Sequence, residues 1–283
     1  MAQPRIDGTA AGGEADVMKW LARTSREAIR MMQPLVPRGP RGVTILTYHL
    51  VDAGTASPVD LPLEVFRSQL RELSEFARVL SLGEAVTHLE SGIESSRPVI
   101  VITFDDGFDN FRTRAWPLLR ELELPCTLYV PVGFLVGTHG TPLGGAEGLR
   151  PVAPEALREL ATDPLLTIGS HSWCHGDMRA LARADLRQDL RRSREWLQEC
   201  TGTAVEHFCY PRAKWSKVVE EEVRAMYRTA VIAGGRRNVS RRFNALRLGR
   251  IPLRRDMPVR LAPVVQSTVW LEEWAARHAR SLT

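Results

Sequence analysis

From residue 43 onward, short apolar segments rich in β-branched residues alternate with helical patterns, and this alternation most constrains the fold. The segments at 43–51 (VTILTYHLV), 98–104 (PVIVITF) and 229–233 (TAVIA) have the length and composition of buried strands. Between such strands, segments such as 183–200 show the apolar spacing of amphipathic helices. Strands that alternate with helices in this way predict a parallel sheet.

The number of strand–helix units favours a closed sheet. About seven units fit a closed or nearly closed (β/α) barrel better than an open, doubly wound sheet. No GxGxxG follows the first strand, which weakens a Rossmann interpretation. The chain of 283 residues is long enough to bury a substantial core without disulfides or structural metals. We therefore predict an α/β protein with a parallel barrel.

The first 42 residues are predicted to form an extension, with the barrel domain at 43–283. Residues 1–13 are small and polar, which is typical of disorder. Residues 14–33 fit a basic amphipathic helix, which could pack on the domain or lie at a membrane interface. The segment 34–42, PLVPRGPRG, is rich in proline and glycine and is typical of a linker.

The chain is basic, with a formal net charge of +5. Such a balance is compatible with nucleic acid, an anionic membrane face or a phosphorylated substrate. The arginines are interspersed with acids on helical segments, and no zinc-finger, helix-turn-helix or RNA-recognition signature accompanies them, which argues against nucleic acid.

The location is predicted from apolar segments and cysteines. No run approaches the roughly 20 apolar residues that span a bilayer. The N-terminal stretch lacks the continuous apolar core of a signal peptide. The four cysteines form no CxxC pair, so we expect reduced thiols. We therefore expect a cytoplasmic protein, with peripheral contact to the inner membrane face through residues 14–33.

Four predicted strands end in polar side chains. In a parallel barrel, functional side chains collect at the carboxyl ends of the strands. These ends share one rim, so we expect their side chains to lie close together. The four ends carry Tyr48 with His49, Asp105 with Asp106, His171 with His175, and Tyr210 with Pro211.

Two imidazoles and two carboxylates on this rim predict a metal site. HSWCH (171–175) places two histidines four residues apart, so that both rings face the same way if the segment makes one helical turn. Such a pair also occurs by chance in loops. Two imidazoles and one aspartate of TFDDGF (103–108) would leave coordination positions open, which is typical of a catalytic metal.

The second aspartate has a predicted chemical role. Two adjacent carboxylates repel each other, and a metal bound by one of them offsets this repulsion. The other carboxylate would remain uncoordinated and act as a base towards water that the metal acidifies. The pattern therefore indicates metal-assisted hydrolysis of an acyl group.

TFDDG together with HSxxH, in this strand order, resembles the polysaccharide deacetylases of carbohydrate esterase family 4, which include nodulation-type chitooligosaccharide deacetylases. ILTYHLVD and FCYPR resemble the subgroup with a YH opening strand and a YPxG-like third motif. The resemblance covers about 43–255. It implies a distorted (β/α)7-type barrel that removes an acetyl group from an N-acetylated sugar of a polysaccharide, oligosaccharide or glycan precursor.

The resemblance also implies roles for individual residues. One divalent metal, zinc before cobalt, nickel, iron or manganese, would be held by Asp106, His171 and His175. Asp105 would be the general base. The strand at Tyr210, ahead of Pro211, would supply a backbone N–H to the oxyanion. Independently, Trp173 is a candidate for stacking on a sugar ring, with a packing role as the alternative.

Two features of that family are missing here. Many members carry an arginine ahead of the third-motif proline that orients the base, whereas this chain has FCYP at 208–211; Arg250 or Arg212 could substitute. Many members also end with a leucine–histidine motif whose histidine is the general acid, and none is found. Asp105, once protonated, or His49 could protonate the leaving amine.

These departures leave other functions open. Without a general acid, an O-acetyl carbohydrate esterase of the xylan type becomes more plausible, since an alkoxide leaves more easily than an amine anion. A catalytically inactive glycan-binding homologue is a further alternative. A cytoplasmic enzyme would act on a nucleotide- or lipid-linked sugar rather than on finished polymer.

Overall fold

The computed structural model describes residues 42–234, 237–240 and 243–266, and a parallel barrel lies at their centre. The predicted helix at 14–33 lies outside the described residues. The strands, in chain order, are β1 (Gly42–Tyr48), β2 (Leu50–Val51), β3 (Asp60–Leu61), β4 (Arg78–Val79), β5 (Val99–Phe104), β6 (Cys126–Val130), β7 (Leu166–Ser170), β8 (His207–Cys209), β9 (Thr229–Ala233), β10 (Asn238–Val239) and β11 (Leu248–Pro252).

Seven of these strands form the closed ring. Going round the barrel, β1, β5, β6, β7, β8, β9 and β11 pair in parallel, and β11 pairs with β1 to close it. The short strands are accessories: β4 joins the start of β5, β10 runs antiparallel to the start of β1, and β2 pairs with β3. The predicted parallel barrel of about seven strands is confirmed.

Helices surround the barrel, as the alternation predicts. They are α1 (Leu63–Phe76), α2 (Leu82–Ser91), α3 (Trp116–Glu121), α4 (Val132–Leu135), α5 (Pro154–Leu160), α6 (Arg183–Thr201), α7 (Lys217–Arg224) and α8 (Leu261–Gln266), and one π-helical turn, Phe111–Ala115, precedes α3. Within the described residues, every helix is too short or too polar to cross a bilayer.

The strands are apolar on both faces because both faces are covered. All six residues of β5 are buried, as expected for a strand between outer helices and a filled barrel. The barrel interior contains a separate apolar cluster of inward side chains, including Val43, Val101 and Val231. The apolar face of α2 belongs to the same cluster, so this helix closes the amino end of the barrel and leaves the carboxyl rim for the site.

The barrel interior is tightly packed at Tyr129. A Cβ atom added to Gly169 would lie 2.5 Å from two ring carbons of Tyr129, closer than real atoms approach. Because Gly169 has no side chain, the Tyr129 ring of β6 can lie across β7 at this position. The Tyr129 ring centroid lies 6.5 Å from that of His171, which directly follows the last residue of β7.

We predict that Gly169→Ala destabilises the barrel by about 1–3 kcal/mol, because the methyl group overpacks a filled interior. Urea unfolding followed by circular dichroism measures the change. Gly83→Ala is the matched control, since nothing lies within 4 Å of its added Cβ in α2. Equal stability of Gly169→Ala and the unchanged protein would contradict this account of the packing.

Candidate metal centre

The structure brings the predicted polar strand ends together on one rim of the barrel. Asp105 and Asp106 follow β5, His171 follows β7, and His49 follows β1. The His49 Nε2 atom lies 3.9 Å from Asp105 Oδ2, and His171 Nε2 lies 3.7 Å from Asp106 Oδ1. Three separate strands therefore contribute side chains to one small volume.

Asp106, His171 and His175, the metal trio, have the spacing of ligands around one ion. His175 Nε2 lies 3.4 Å from Asp106 Oδ1 and 3.2 Å from His171 Nε2. In a tetrahedral site with bonds of about 2.0–2.2 Å, ligand atoms lie about 3.3–3.6 Å apart. The 3.7 Å between His171 Nε2 and Asp106 Oδ1 is close to this range. These donor atoms fit a divalent cation, although metal binding itself stays a prediction.

Backbone conformation in a loop, and not a helical turn, aligns the two imidazoles. Residues 171–175 are not helical, so the rings meet without the turn that the spacing of four residues suggested as one possibility. Instead Ser172 and His175 adopt positive φ angles of 66° and 50°, and Asp106 has φ 73°. Such conformations are costly for residues with a Cβ atom and concentrate at functional sites. The folded protein therefore holds these residues in backbone conformations that they would rarely adopt in an unfolded chain.

Hydrogen bonds fix the orientation of this loop and of one imidazole. His171 Nδ1 lies 2.8 Å from the Cys209 carbonyl oxygen, which can only accept, so Nδ1 carries the proton and Nε2 has its lone pair free. The Ser172 hydroxyl accepts a 2.9 Å hydrogen bond from the His175 backbone N–H. The Asp189 carboxylate accepts the backbone N–H groups of Trp173 and Cys174.

Burial keeps both imidazoles in the neutral form that binds metals. It lowers the pKa of His171 to about 4 and that of His175 to about 2, with the neighbouring His171 adding to the second effect. Burial, followed by repulsion from Asp105, raises the pKa of Asp106 well above its usual value. A bound cation would offset that repulsion, so the trio is electrostatically suited to one.

Arg250 gives the other aspartate a different environment. Its Nη1 donates to Asp105 Oδ1 at 2.7 Å and its Nη2 donates to Asp105 Oδ2 at 2.6 Å. Burial alone would raise the pKa of Asp105, but attraction and hydrogen bonds from Arg250 outweigh it and lower the pKa. Of the two arginines considered from the sequence, Arg250 makes this contact, whereas Arg212 is exposed and makes no ion pair within the described residues.

His49 lies near the base without sharing a strong hydrogen bond with it. Its Nε2 atom is 3.9 Å from Asp105 Oδ2, and its side chain is 17% exposed. Burial lowers the pKa of His49, although Asp105 acts in the opposite direction. The imidazole is therefore neutral near pH 7, and a role as an acid stays a prediction.

Other sequence-predicted residues have protein partners in this structure. The Tyr210 backbone N–H donates to the Val231 carbonyl at 3.1 Å, and its hydroxyl donates to Leu246 O at 2.9 Å. Donation to an oxyanion would require the first bond to break, so that role stays a prediction. Pro211 is buried and begins a short turn after Tyr210. Trp173 is 7% exposed with the Arg192 guanidinium 3.6 Å from its ring centroid, which favours the packing alternative over sugar stacking.

Cys209 belongs to the site although the sequence analysis did not include it. Its Sγ atom accepts a hydrogen bond from Arg250 Nη2 at 3.0 Å and lies 3.8 Å from His171 Nε2. The side-chain alternation of β8 was the available signal, because Cys209 is the last residue of a strand whose neighbours supply inward-facing ligands.

Fold and site together define a class: an α/β barrel protein with a candidate metal centre at the carboxyl ends of its strands. The model of the family described as polysaccharide deacetylase matches residues 92–231, which include both aspartates and both histidines of the centre. Residues 92–231 of the chain therefore match the polysaccharide deacetylase family.

Individual relatives agree with this assignment. "Putative polysaccharide deacetylase YxkH" of Bacillus subtilis is 22% identical over 196 residues, 69% of this chain and 64% of that protein. Poly-beta-1,6-N-acetyl-D-glucosamine N-deacetylase of Escherichia coli is 33% identical over 95 residues, 31% of this chain and 14% of that protein. The chain thus matches less than two thirds of either relative's length.

A solved structure supports the fold independently. The Streptococcus pyogenes deacetylase PplD, in complex with acetate, superposes with a TM-score of 0.67 at 19% identity. The similar region covers 78% of this chain and 96% of that one. At this level of identity, the similarity establishes the shared fold.

We predict that Asp106→Asn and His175→Gln each weaken zinc binding by at least about tenfold, because each removes a ligand atom. Metal analysis after dialysis against a graded chelator measures the affinity. His139→Gln is the matched control, since His139 is an exposed histidine on the loop after α4 and lies outside the metal trio. Unchanged zinc affinity in both ligand variants would exclude this centre.

Proposed function

We propose that this protein is a metal-dependent hydrolase that removes an acetyl group from an N-acetylated sugar of a polysaccharide, oligosaccharide or glycan precursor. One observation carries the proposal: Asp105, next to the metal trio, is held by Arg250 and is left out of that trio. The match to the polysaccharide deacetylase family supports the acetylated glycan as the substrate class.

The metal trio suits a borderline cation. Two imidazoles and one carboxylate favour zinc, with cobalt, nickel, iron and manganese as alternatives. When bound, such an ion supplies polarisation of the acetyl carbonyl and lowers the pKa of water. Asp106, His171 and His175 would hold it.

Asp105 is the proposed general base. Arg250 keeps the carboxylate ionised and fixes its plane through two parallel hydrogen bonds. The carboxylate accepts a proton from the attacking water, and the buried guanidinium limits its movement during that transfer. Arg250 therefore acts on the reaction through Asp105, as a positioning residue.

The leaving amine needs a proton, and two groups can supply it. Asp105 can return the proton that it has accepted, or His49 can donate one from the same rim. Because its pKa is lowered, His49 is in the neutral form near pH 7 and is a poor proton donor. This observation favours the second candidate function, an O-acetyl carbohydrate esterase, because an alkoxide depends less on protonation than an amine.

We also propose a cytoplasmic location with peripheral contact to the inner membrane face. The net charge of +5 and the amphipathic pattern at 14–33 support contact with anionic lipid. The substrate would then be a nucleotide- or lipid-linked acetylated sugar. Cell fractionation that recovers the protein in the periplasm or the medium would exclude this location.

Acetate release from a panel of N-acetylated and O-acetylated oligosaccharides tests the activity. We predict that Asp105→Asn lowers kcat by about 10²–10⁴-fold, since the base is lost, and leaves the metal content unchanged. Asp109→Asn is the matched control, because Asp109 follows the same strand but pairs with Arg112 on the surface. Glycan binding without acetate release by the unchanged protein would identify the inactive binding homologue instead.

His49→Gln separates the two candidate acids. If His49 protonates the amine, the variant should lose about 10²-fold in kcat on N-acetyl substrates and much less on O-acetyl substrates. Rates of acetate release on matched N- and O-acetyl sugars give the comparison. Equal, small losses on both substrates would leave Asp105 as the proton donor.

A further inference from the structure

A second group of potential metal ligands overlaps the metal trio. Asp105, His171 and Cys209, the thiol trio, offer a carboxylate, an imidazole and a thiol whose ligand atoms lie within 4.8 Å of one another. They come from three neighbouring regions of the barrel, at the ends of β5, β7 and β8. His171 belongs to both trios, and its Nε2 atom can bind only one ion at a time.

Two of the three ligand distances in the thiol trio suit one ion, and all three ligand atoms lie within 4.8 Å of one another. Cys209 Sγ lies 3.6 Å from Asp105 Oδ2 and 3.8 Å from His171 Nε2. With a zinc–sulfur bond of about 2.3 Å and a zinc–oxygen bond of about 2.1 Å, tetrahedral ligand atoms lie about 3.6 Å apart. Thiolate is also the softer donor, which attracts zinc, cobalt and cadmium.

Arg250 lies between two of these three ligands, Asp105 and Cys209. Its Nη2 atom donates to both Asp105 Oδ2, at 2.6 Å, and Cys209 Sγ, at 3.0 Å. Its Nη1 atom donates to Thr103 Oγ1 at 3.0 Å, and the Tyr129 ring lies 5.5 Å from its guanidinium carbon. The guanidinium is thus a fixed, buried positive charge that excludes a second cation by volume and by repulsion.

We propose that Arg250 decides which of two overlapping ligand sets binds the metal ion. With Arg250 present, binding is confined to the metal trio, and Asp105 stays free. Without Arg250, the buried Asp105 carboxylate loses its counter-charge. Asp105, His171 and Cys209 then bind the ion, and Cys209 releases its thiol proton to solvent. This inference rests on the proposed metal dependence of the domain.

Cobalt(II) reports the choice of ligands directly, because thiolate-to-cobalt charge transfer adds a near-ultraviolet absorption band. We expect no such band in the cobalt-loaded unchanged protein, a band in Arg250→Met at one cobalt per chain, and its loss in Arg250→Met/Cys209→Ser. Arg247→Met is the matched control, since Arg247 lies beside β11 but is exposed and packs on the half-buried ring of Trp215.

The outcomes separate the two proposals. An unchanged protein that binds no cobalt would reject the proposed metal dependence itself. One cobalt per chain in both proteins, with no thiolate band in Arg250→Met, would overturn only the role of Arg250. A thiolate band in the unchanged protein would also overturn it, because Cys209 would then bind metal despite Arg250.

A second measurement keeps the inference testable if Arg250→Met does not fold. In the unchanged background, Cys209→Ser should alter cadmium affinity by less than about threefold, because Arg250 already keeps the sulfur from the ion. A loss of about tenfold or more in cadmium affinity would show that Cys209 is a ligand and would overturn the inference. Competition with a coloured chelator gives the affinities.

Discussion

The buried ion pair between Arg250 and Asp105 is the interaction on which the arrangement of the site depends. Both side chains are almost fully buried, and removing one partner of such a pair leaves an uncompensated charge at a cost of about 3–5 kcal/mol. The pair joins β5 to β11, two strands that are separated in sequence by more than half of the barrel and that both flank β1. The pair therefore depends on closure of the barrel. If β11 did not pair with β1, the Arg250 guanidinium would not reach Asp105. The pair also makes the two adjacent aspartates different, since the guanidinium keeps Asp105 ionised, whereas Asp106 lies in the metal trio without such a counter-charge.

Strain and packing place the remaining groups. Asp106, Ser172 and His175 have left-handed backbone conformations, and hydrogen bonds within the loop after β7 hold Ser172 and His175 in theirs. Beneath them, Tyr129 and the apolar interior fill the barrel, and α2 closes its amino end. The barrel is consequently a packed support with polar groups at one end only. This division explains why the site consists of residues at strand ends, where the backbone can leave regular geometry without disturbing the core.

Much of the architecture follows from sequence pattern, and some of it does not. β9 begins and ends at the residues that the apolar segment TAVIA marks, and α6 follows the periodic segment at 183–200 to within one residue. Helix α2 was not predicted, although Ser81 and Glu84 form a capping box and Gly92 ends the helix in a left-handed conformation. The helical turn that was considered for HSWCH does not form. Spacing of four residues suited a helix, but contacts with Asp189 and Ser172 favour a loop that brings the same two rings together.

The sequence by itself determined the fold class and the set of candidate ligands, because strand periodicity and the TFDDG and HSWCH segments are local patterns. Only the tertiary structure decided which arginine faces Asp105, since Arg250 and Arg212 are equally plausible until the strands are arranged around the barrel. The same is true of Cys209, whose sulfur meets Asp105 and Arg250 across strands that lie far apart in the chain. Contacts of this kind depend on which strands become neighbours and on which side chains point inward at one level. Those are properties of the closed barrel as a whole, and no short segment of sequence contains them.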